Sequence, residues 1–404
     1  MRVGIEKINL YAGRLRFDIL ELAAARGKDS AYIKNDLMCK SRSVYPAYED
    51  TVTLAVNAAK DILSPDDKKD IELLIVGTES AVDFSKPVAS WVHRFSGLPA
   101  NCRNLDIKHA CYSGTGALKM AASWVASGVR PGKKALVVTS DLSRSHIGND
   151  PEIICGGCAV AMLISSDPQI LEIEMDKTGY WTSEIADIFR PTAKIETGNN
   201  QASLYSYLDA LEGAYEHYLK ISGEVDFNSH FKKHIYHAPF PGMTFQAHRM
   251  MMNRAGAVKK SAIMESFREK VEEGIVFSQQ IGSAYGGSNF VSLIGLLDVS
   301  SDIKAGDRIS LFSYGSGCQG EFYSATVGAT AVNAVRSLQF RRYLSDRMRL
   351  NLEEYESIEL ARDRNIDLPD FKPERDLVYE KQYDGQGLLV LNEVKQFYRD
   401  YKWS

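Results

Sequence analysis

A chain of 404 residues with 45% apolar and 25% charged residues has the composition of a folded protein large enough for several cores or one duplicated unit. A formal charge of −4 gives no electrostatic footprint for nucleic acid, and no apolar run approaches membrane-spanning length. The opening MRVGIEKINLYAG lacks the pattern of a secretory signal. Six cysteines without a disulfide-like spacing point to a reducing, cytoplasmic setting.

Taken in chain order, TVTLAVNAAKDIL at 51–63 has apolar positions at helical spacing, and IELLIVGT at 71–78 reads as a buried strand. A second helical stripe, Leu118, Ala121, Ala122, Val125 and Ala126, follows HACYSG and places Cys111 in the turn entering that helix. KALVVTS at 134–140 and CAVAMLIS at 158–165 are further strands. Two similar α/β halves meet near 166–180, and a polar insertion over 175–201 contains Arg190-Pro191, which ends a segment. The second half repeats the pattern with a helix over 203–219, a strand over 234–239, helices over 255–277 and 287–299, and a strand over 307–317. The tail adds a helix in LNLEEYESIELARDR and a strand beginning in QGLLVLNEV. The reading is α/β with the sheet covered on both faces.

Polar residues at strand ends are where such folds place chemistry. Glu79 follows the strand at 71–78, and His237 ends HIYHAPFPG before two prolines. SYGSG at 313–317 ends another strand with small residues whose N–H groups can approach a ligand. At the entrance to a helix, Cys111 stands where the dipole favours a thiolate, although free cysteine is equally at home in a core. His234 follows two lysines and reads as solvated. CGGC at 155–158 lacks a second cysteine pair and runs into a buried strand, so Cys155 and Cys158 read as structural and no metal is expected. A thiolate that accepts an acyl group, a carboxylate that moves protons and an imidazole that holds a carbonyl oxygen together suit thioester condensation. A Cys-His hydrolase has the same nucleophile and histidine, and composition alone leaves both open.

The chain resembles the hydroxymethylglutaryl-CoA synthase family of thiolase-like condensing enzymes across nearly its whole length. The resemblance is carried by GIEKINLYAG (4–13), VGTESAVD (76–83), HACYSGTGAL (109–118), FRPTA (189–193), YHAPF (236–240) and LFSYGSGCQGEFYS (311–324). It implies a duplicated five-layer αβαβα fold, with residues 1–168 carrying Glu79 and Cys111 and residues 169–404 carrying His237 and the 313–317 loop. It further implies Cys111 as the acylated nucleophile, Glu79 as general acid/base and His237 as the residue engaging the β-ketoacyl substrate. Ser316, Gly317 and Ser283 are expected to position substrate or stabilise an oxyanion. Gly242 and Gln246 stand where CoA-using members carry basic residues, and Ser145 and Ser283 replace a usual tyrosine and asparagine.

These departures resemble the polyketide β-branching branch. There, acetyl from a donor acyl carrier protein is joined to the β-ketone of a chain on an acceptor carrier domain of a polyketide synthase. The alternatives are a hydroxymethylglutaryl-CoA synthase of isoprenoid metabolism and an inactive carrier-binding scaffold. The resemblance implies a homodimer and no bound cofactor, with a phosphopantetheine thioester, or CoA, as substrate carrier. It names no residue that holds the phosphopantetheine.

Overall fold

The computed structural model describes residues 2–256 and 259–404. Its principal element is a nine-stranded sheet in the order Lys233–Tyr236, Arg308–Gly315, Gln319–Val327, Leu171–Thr182, Gly4–Tyr11, Gly157–Ser165, Lys134–Leu142, Ile71–Gly77, Arg103–Ile107. Gly4–Tyr11 and Leu171–Thr182 meet only at Gly4↔Glu172 and Ile5↔Leu171. Outward from that seam each side runs through two antiparallel pairings and then into parallel ones, one on the side of Lys233–Tyr236 and two on the side of Ile71–Gly77. The order is mirrored, so Ile71–Gly77 and Lys233–Tyr236 occupy equivalent places.

The helices Ser113–Ala126 and Ser288–Val299 share one apolar core with both flanks of this sheet. Ala117, Leu118, Ala121 and Ala122 are fully buried, and the small side chains let a helix sit between two strand layers. Thr51–Ala59 and Val88–Ser96 cover the outer face of one flank, and Asn200–Ser222 and Met243–Arg254 that of the other. The result is five alternating layers. Asp50 caps Thr51–Ala59 through a reciprocal pair with Thr53.

Two expectations need correction, and a third gains detail. The segment 166–180, read as the junction of two halves, holds the connection after Gly157–Ser165 and then most of the strand Leu171–Thr182, which pairs with Gln319–Val327 and Gly4–Tyr11. Its Leu-Glu-Ile-Glu alternation is that of a strand with one wet face, on which Glu172 pairs with Arg2 and Glu174 with Arg308. The helix expected over 255–277 is Lys260–Lys270 followed by a 3-10 turn at Glu272–Ile275; Ala257 and Val258 lie outside the described residues. An unpredicted helix, Met243–Arg254, ends at Gly256, whose φ of 88° stops propagation. His234 is buried rather than solvated. It stacks on Phe227 at 4.3 Å and shares a hydrogen bond with Ser310 Oγ at 2.7 Å, because its strand, although at the edge of the sheet, is covered by Phe227, Phe231 and His248, which pack over the ring.

No described helix is long and apolar enough to cross a membrane, and no cluster of three or more potential metal ligands occurs among the described residues. Cys155 and Cys158 are buried free thiols, and burial pushes Cys155 up to about 12.

Candidate active site

Cys111 lies two residues before the first turn of Ser113–Ala126, in a turn where Ala110 takes a φ of 41°. For a residue with a Cβ, that conformation costs about 1–2 kcal/mol. The turn is held by Tyr112 N–H donating to the His109 carbonyl (3.0 Å) and Ser113 N–H to the Ala110 carbonyl (3.1 Å). It rests on the end of Arg308–Gly315 from the other flank of the sheet. A Cβ at Gly315 would stand 2.6 Å from both the His109 oxygen and the Tyr112 Cβ, so only glycine admits this approach. Tyr112 OH and Lys119 Nζ both reach the fully buried Glu321, at 2.5 and 3.3 Å, and tie the entering helix to Gln319–Val327.

Glu79 follows Ile71–Gly77, and its Oε2 lies 3.4 Å from Cys111 Sγ. Asp141, fully buried at the end of the neighbouring strand, fixes the loop around it. Its Oδ1 accepts from Thr78 Oγ1 (3.0 Å), Glu79 N–H (2.9 Å) and Ser80 Oγ (2.7 Å). Burial raises the Glu79 carboxyl to about 7, against the attraction of Arg190 and with repulsion from Asp141 and Glu196. The Cys111 thiol is raised well above its usual range, first by burial and then by the Glu79 charge. The sulfur therefore rests as a thiol, within hydrogen-bond distance of the Glu79 carboxyl. The thiolate-favouring helix dipole expected from the sequence is outweighed here.

Sequence reasoning missed the groups behind Glu79. Arg190 Nε stands 3.1 Å from Glu79 Oε1, and its Nη2 lies 3.1 Å from Glu196 Oε2. The guanidinium sits over the Tyr285 ring at 4.9 Å, and Tyr285 OH donates to Glu196 Oε1 at 3.1 Å. Tyr285 also takes a positive φ of 46°. The motif FRPTA contained Arg190, but its partners come from segments up to about a hundred residues away and no spacing rule joins them. Asp141 ends a strand, as Glu79 nearly does, and that was the available signal.

His237 follows Lys233–Tyr236, one strand over from Gly315. Its N–H donates to the Phe312 carbonyl (2.8 Å), and its own carbonyl accepts from Tyr207 OH (2.8 Å). Burial lowers its imidazole to about 3, so it stays neutral, and Nδ1 is buried without a partner.

Of the remaining expected residues, Gly317 departs from its assigned role. Its N–H donates to Asp187 Oδ1 at 3.0 Å and its carbonyl accepts from Ile185 N–H at 2.8 Å, so this N–H is engaged and does not face an oxyanion. Ser316 is partly buried at the tip of the same turn. Ser283 is buried, with its N–H donating to the Ile154 carbonyl at 2.9 Å, and makes no hydrogen bond to Cys111, Glu79 or His237 among the described residues. Ser145 is partly buried beside Arg144, whose N–H approaches Glu196 Oε2 at 3.5 Å. Gly242 is more than a lost cation. Its N–H donates to the Leu37 carbonyl (3.0 Å), and a Cβ there would overlap the Asp36 carbonyl oxygen.

Two family models cover most of the chain: hydroxymethylglutaryl-coenzyme A synthase N terminal matches residues 2–169, and the corresponding C-terminal model matches residues 247–403. The polyketide biosynthesis 3-hydroxy-3-methylglutaryl-ACP synthase PksG of Bacillus subtilis is 36% identical over 419 aligned residues, covering 99% of each chain. A hydroxymethylglutaryl-CoA synthase of Enterococcus faecalis is 33% identical, covering 89% of this chain and 91% of its own. The crystal structure of the curacin biosynthetic pathway HMG synthase in complex with acetyl donor-ACP superposes with a TM-score of 0.94 at 37% identity, covering 100% of both chains.

Proposed function

The chain belongs to the hydroxymethylglutaryl-coenzyme A synthase family and has its thiolase-like α/β fold, and from that premise we propose that it is a β-branching synthase of polyketide assembly. It takes acetyl from a donor acyl carrier protein onto Cys111 and joins it to the β-ketone of a chain on an acceptor carrier domain. The observation that carries the chemistry is the 3.4 Å contact between Cys111 Sγ and Glu79 Oε2. Likeness over full length to a synthase crystallised with acetyl donor-ACP, and to a polyketide biosynthesis 3-hydroxy-3-methylglutaryl-ACP synthase, supports the carrier protein as donor.

In this reading the sulfur attacks the acetyl thioester carbonyl as its proton passes to Glu79. Glu79 returns that proton to the departing phosphopantetheine thiol. The regenerated carboxylate then removes a methyl proton from acetyl-Cys111, and the enolate carbon attacks the acceptor ketone. The new alkoxide takes the proton back from Glu79. Each use of Glu79 as base is matched by one as acid, which suits a carboxyl near 7. Neutral His237 donates to the acceptor thioester oxygen without bringing charge. The Cys111 and Ser316 N–H groups are left as the backbone donors for the enolate, Gly317 being engaged elsewhere. Water hydrolyses the enzyme thioester and leaves a free carboxylate. We divide the catalytic groups between residues 1–168 and 169–404. We also assign a homodimer, for which the half-exposed edge strand Arg103–Ile107 is available.

Intact-mass measurement after mixing with acetyl-CoA or acetyl-carrier at equal concentration tests the donor. A gain of one acetyl group, faster from the carrier and slowed by salt, is expected. Faster loading from free acetyl-CoA at both low and high salt overturns the carrier reading and favours a CoA-using synthase.

A further inference from the structure

Arg190 and Glu196 lie beside the two short strands of one ribbon, Ile188–Phe189 paired antiparallel with Thr197–Gly198. Both side chains are nearly buried, 9% and 13% exposed. The two oxygens of Glu79 have different partners: Oε1 faces the Arg190 guanidinium and Oε2 the Cys111 thiol. One cation is thus shared between two carboxylates, and the carboxylate oxygen turned to the thiol is the one the guanidinium leaves free.

We infer that Arg190 is a positioning residue that aims Glu79 at Cys111 and sets how readily Glu79 takes a proton, and that Glu196 regulates this by competing for the same guanidinium. The inference rests on the proposed role of Glu79 as acid/base. The groups facing Glu79 are Cys111 from the helix-entry turn, Asp141 from the adjacent strand end, and Arg190 and Glu196 from the ribbon. Tyr285 and His146 stand behind Glu196, with His146 Nε2 at 3.6 Å, and Arg144 adds a second cation near Arg190. Burial opposes the charge on Arg190, but Tyr285, Glu196 and Glu79 outweigh it and keep the guanidinium protonated. Glu196 resists protonation, held down to about 2 mainly by Arg190 despite its burial.

The arrangement gives two changes of opposite sign. Without the guanidinium, Glu79 faces Asp141 and Glu196 with no adjacent cation, and its proton affinity rises. Without the Glu196 charge, Arg190 belongs to Glu79 alone and its proton affinity falls. A merely structural contact would slow both variants without moving their pH dependence in opposite directions.

The test uses the full chain loaded with acetyl from acetyl-CoA or acetyl-carrier and transferred to D2O without acceptor. Deuterium entering the methyl group of acetyl-Cys111 reports proton removal by Glu79 and is read by mass spectrometry of the peptide across a pH series. The wild-type midpoint is expected near the Glu79 value of about 7. Arg190→Gln should move it up by about 1 unit or more, Arg190→Lys should fall between the two, and Glu196→Gln should move it down. Midpoints that coincide, or that move in one direction for both charge removals, overturn the inference while leaving the acylation reading intact. A wild-type chain that carries no acetyl group on Cys111 overturns the proposed function and the inference with it. Should Arg190→Gln fail to fold, Arg190→Lys and Glu196→Gln still give the two opposed shifts.

Discussion

Ile71–Gly77 and Lys233–Tyr236 hold mirrored places in the sheet, yet their ends solve opposite electrostatic problems. Past the first, Glu79 sits among Arg190, Asp141 and Glu196 and is held near 7, where either protonation state is within reach. Past the second, His237 is packed against Tyr207, with ring centroids 6.3 Å apart, and Tyr314, at 6.5 Å. Burial lowers it to about 3, far from titration. Glu79 is buried among charged groups of both signs, whereas His237 is buried among aromatic rings. Equivalent backbone positions thus end in a titrating group and a neutral ring, and the difference is made by the side chains around them.

Removing the Cys111 thiol gives the largest effect. Cys111→Ala should abolish acetylation altogether while the fold persists. Peptide mapping of the loaded wild type should find the label on Cys111, and a label on Cys155, Cys158 or Cys318 would remove the nucleophile assignment. The two strand ends should then separate by step. Glu79→Gln keeps the shape and loses the proton acceptor. Because its oxygen is the one beside the thiol, it should slow both acetylation and condensation, each by about 10²–10⁴-fold. His237→Asn should leave acetylation near wild type and slow condensation by about 10²–10³-fold, the usual cost of one donor to a developing charge. Single-turnover rates for the two steps decide this, and equal losses in both steps for His237→Asn would erase the contrast.

Much of this was legible in the sequence where the physics is local. Helix periodicity located Ser113–Ala126 and Ser288–Val299, and short β-branched runs located Ile71–Gly77, Lys134–Leu142 and Gly157–Ser165. Leu171–Thr182 escaped because its wet face carries glutamates and its far end is polar. His234 was misread for a related reason: the preceding lysines suggested solvent, but Lys233 is itself buried and paired with Glu273 and Asp302. The ion chain through Glu79, Arg190, Glu196 and Tyr285 depends on three segments converging, and nothing in any one stretch encodes that. The Gly317 N–H looked free because its partner, Asp187, is 130 positions away.

The smallest expected effects concern the loop after His237, where the contrast with CoA-using synthases is sharpest. The resemblance places basic residues at 242 and 246. In this chain Gly242 lies against the π-helix Ile33–Leu37, with its N–H on the Leu37 carbonyl and no room for a Cβ beside the Asp36 oxygen. Met38, at a φ of 58°, closes that segment. Gly242→Lys therefore does not restore a cation to an empty position. It must push the 33–37 backbone away, which should cost about 1–3 kcal/mol as an overpacking change and lower the thermal midpoint. Gln246, partly buried one turn into Met243–Arg254, has no such constraint. Gln246→Lys should fold normally and raise loading from free acetyl-CoA by no more than about fivefold, the scale of one solvent-exposed ion pair, with the gain vanishing at high salt. Thermal unfolding together with acetylation rates at two salt concentrations measures both. A Gly242→Lys variant as stable as wild type would mean that the 33–37 segment is not seated on the loop. The glycine would then stand as a simple loss of charge.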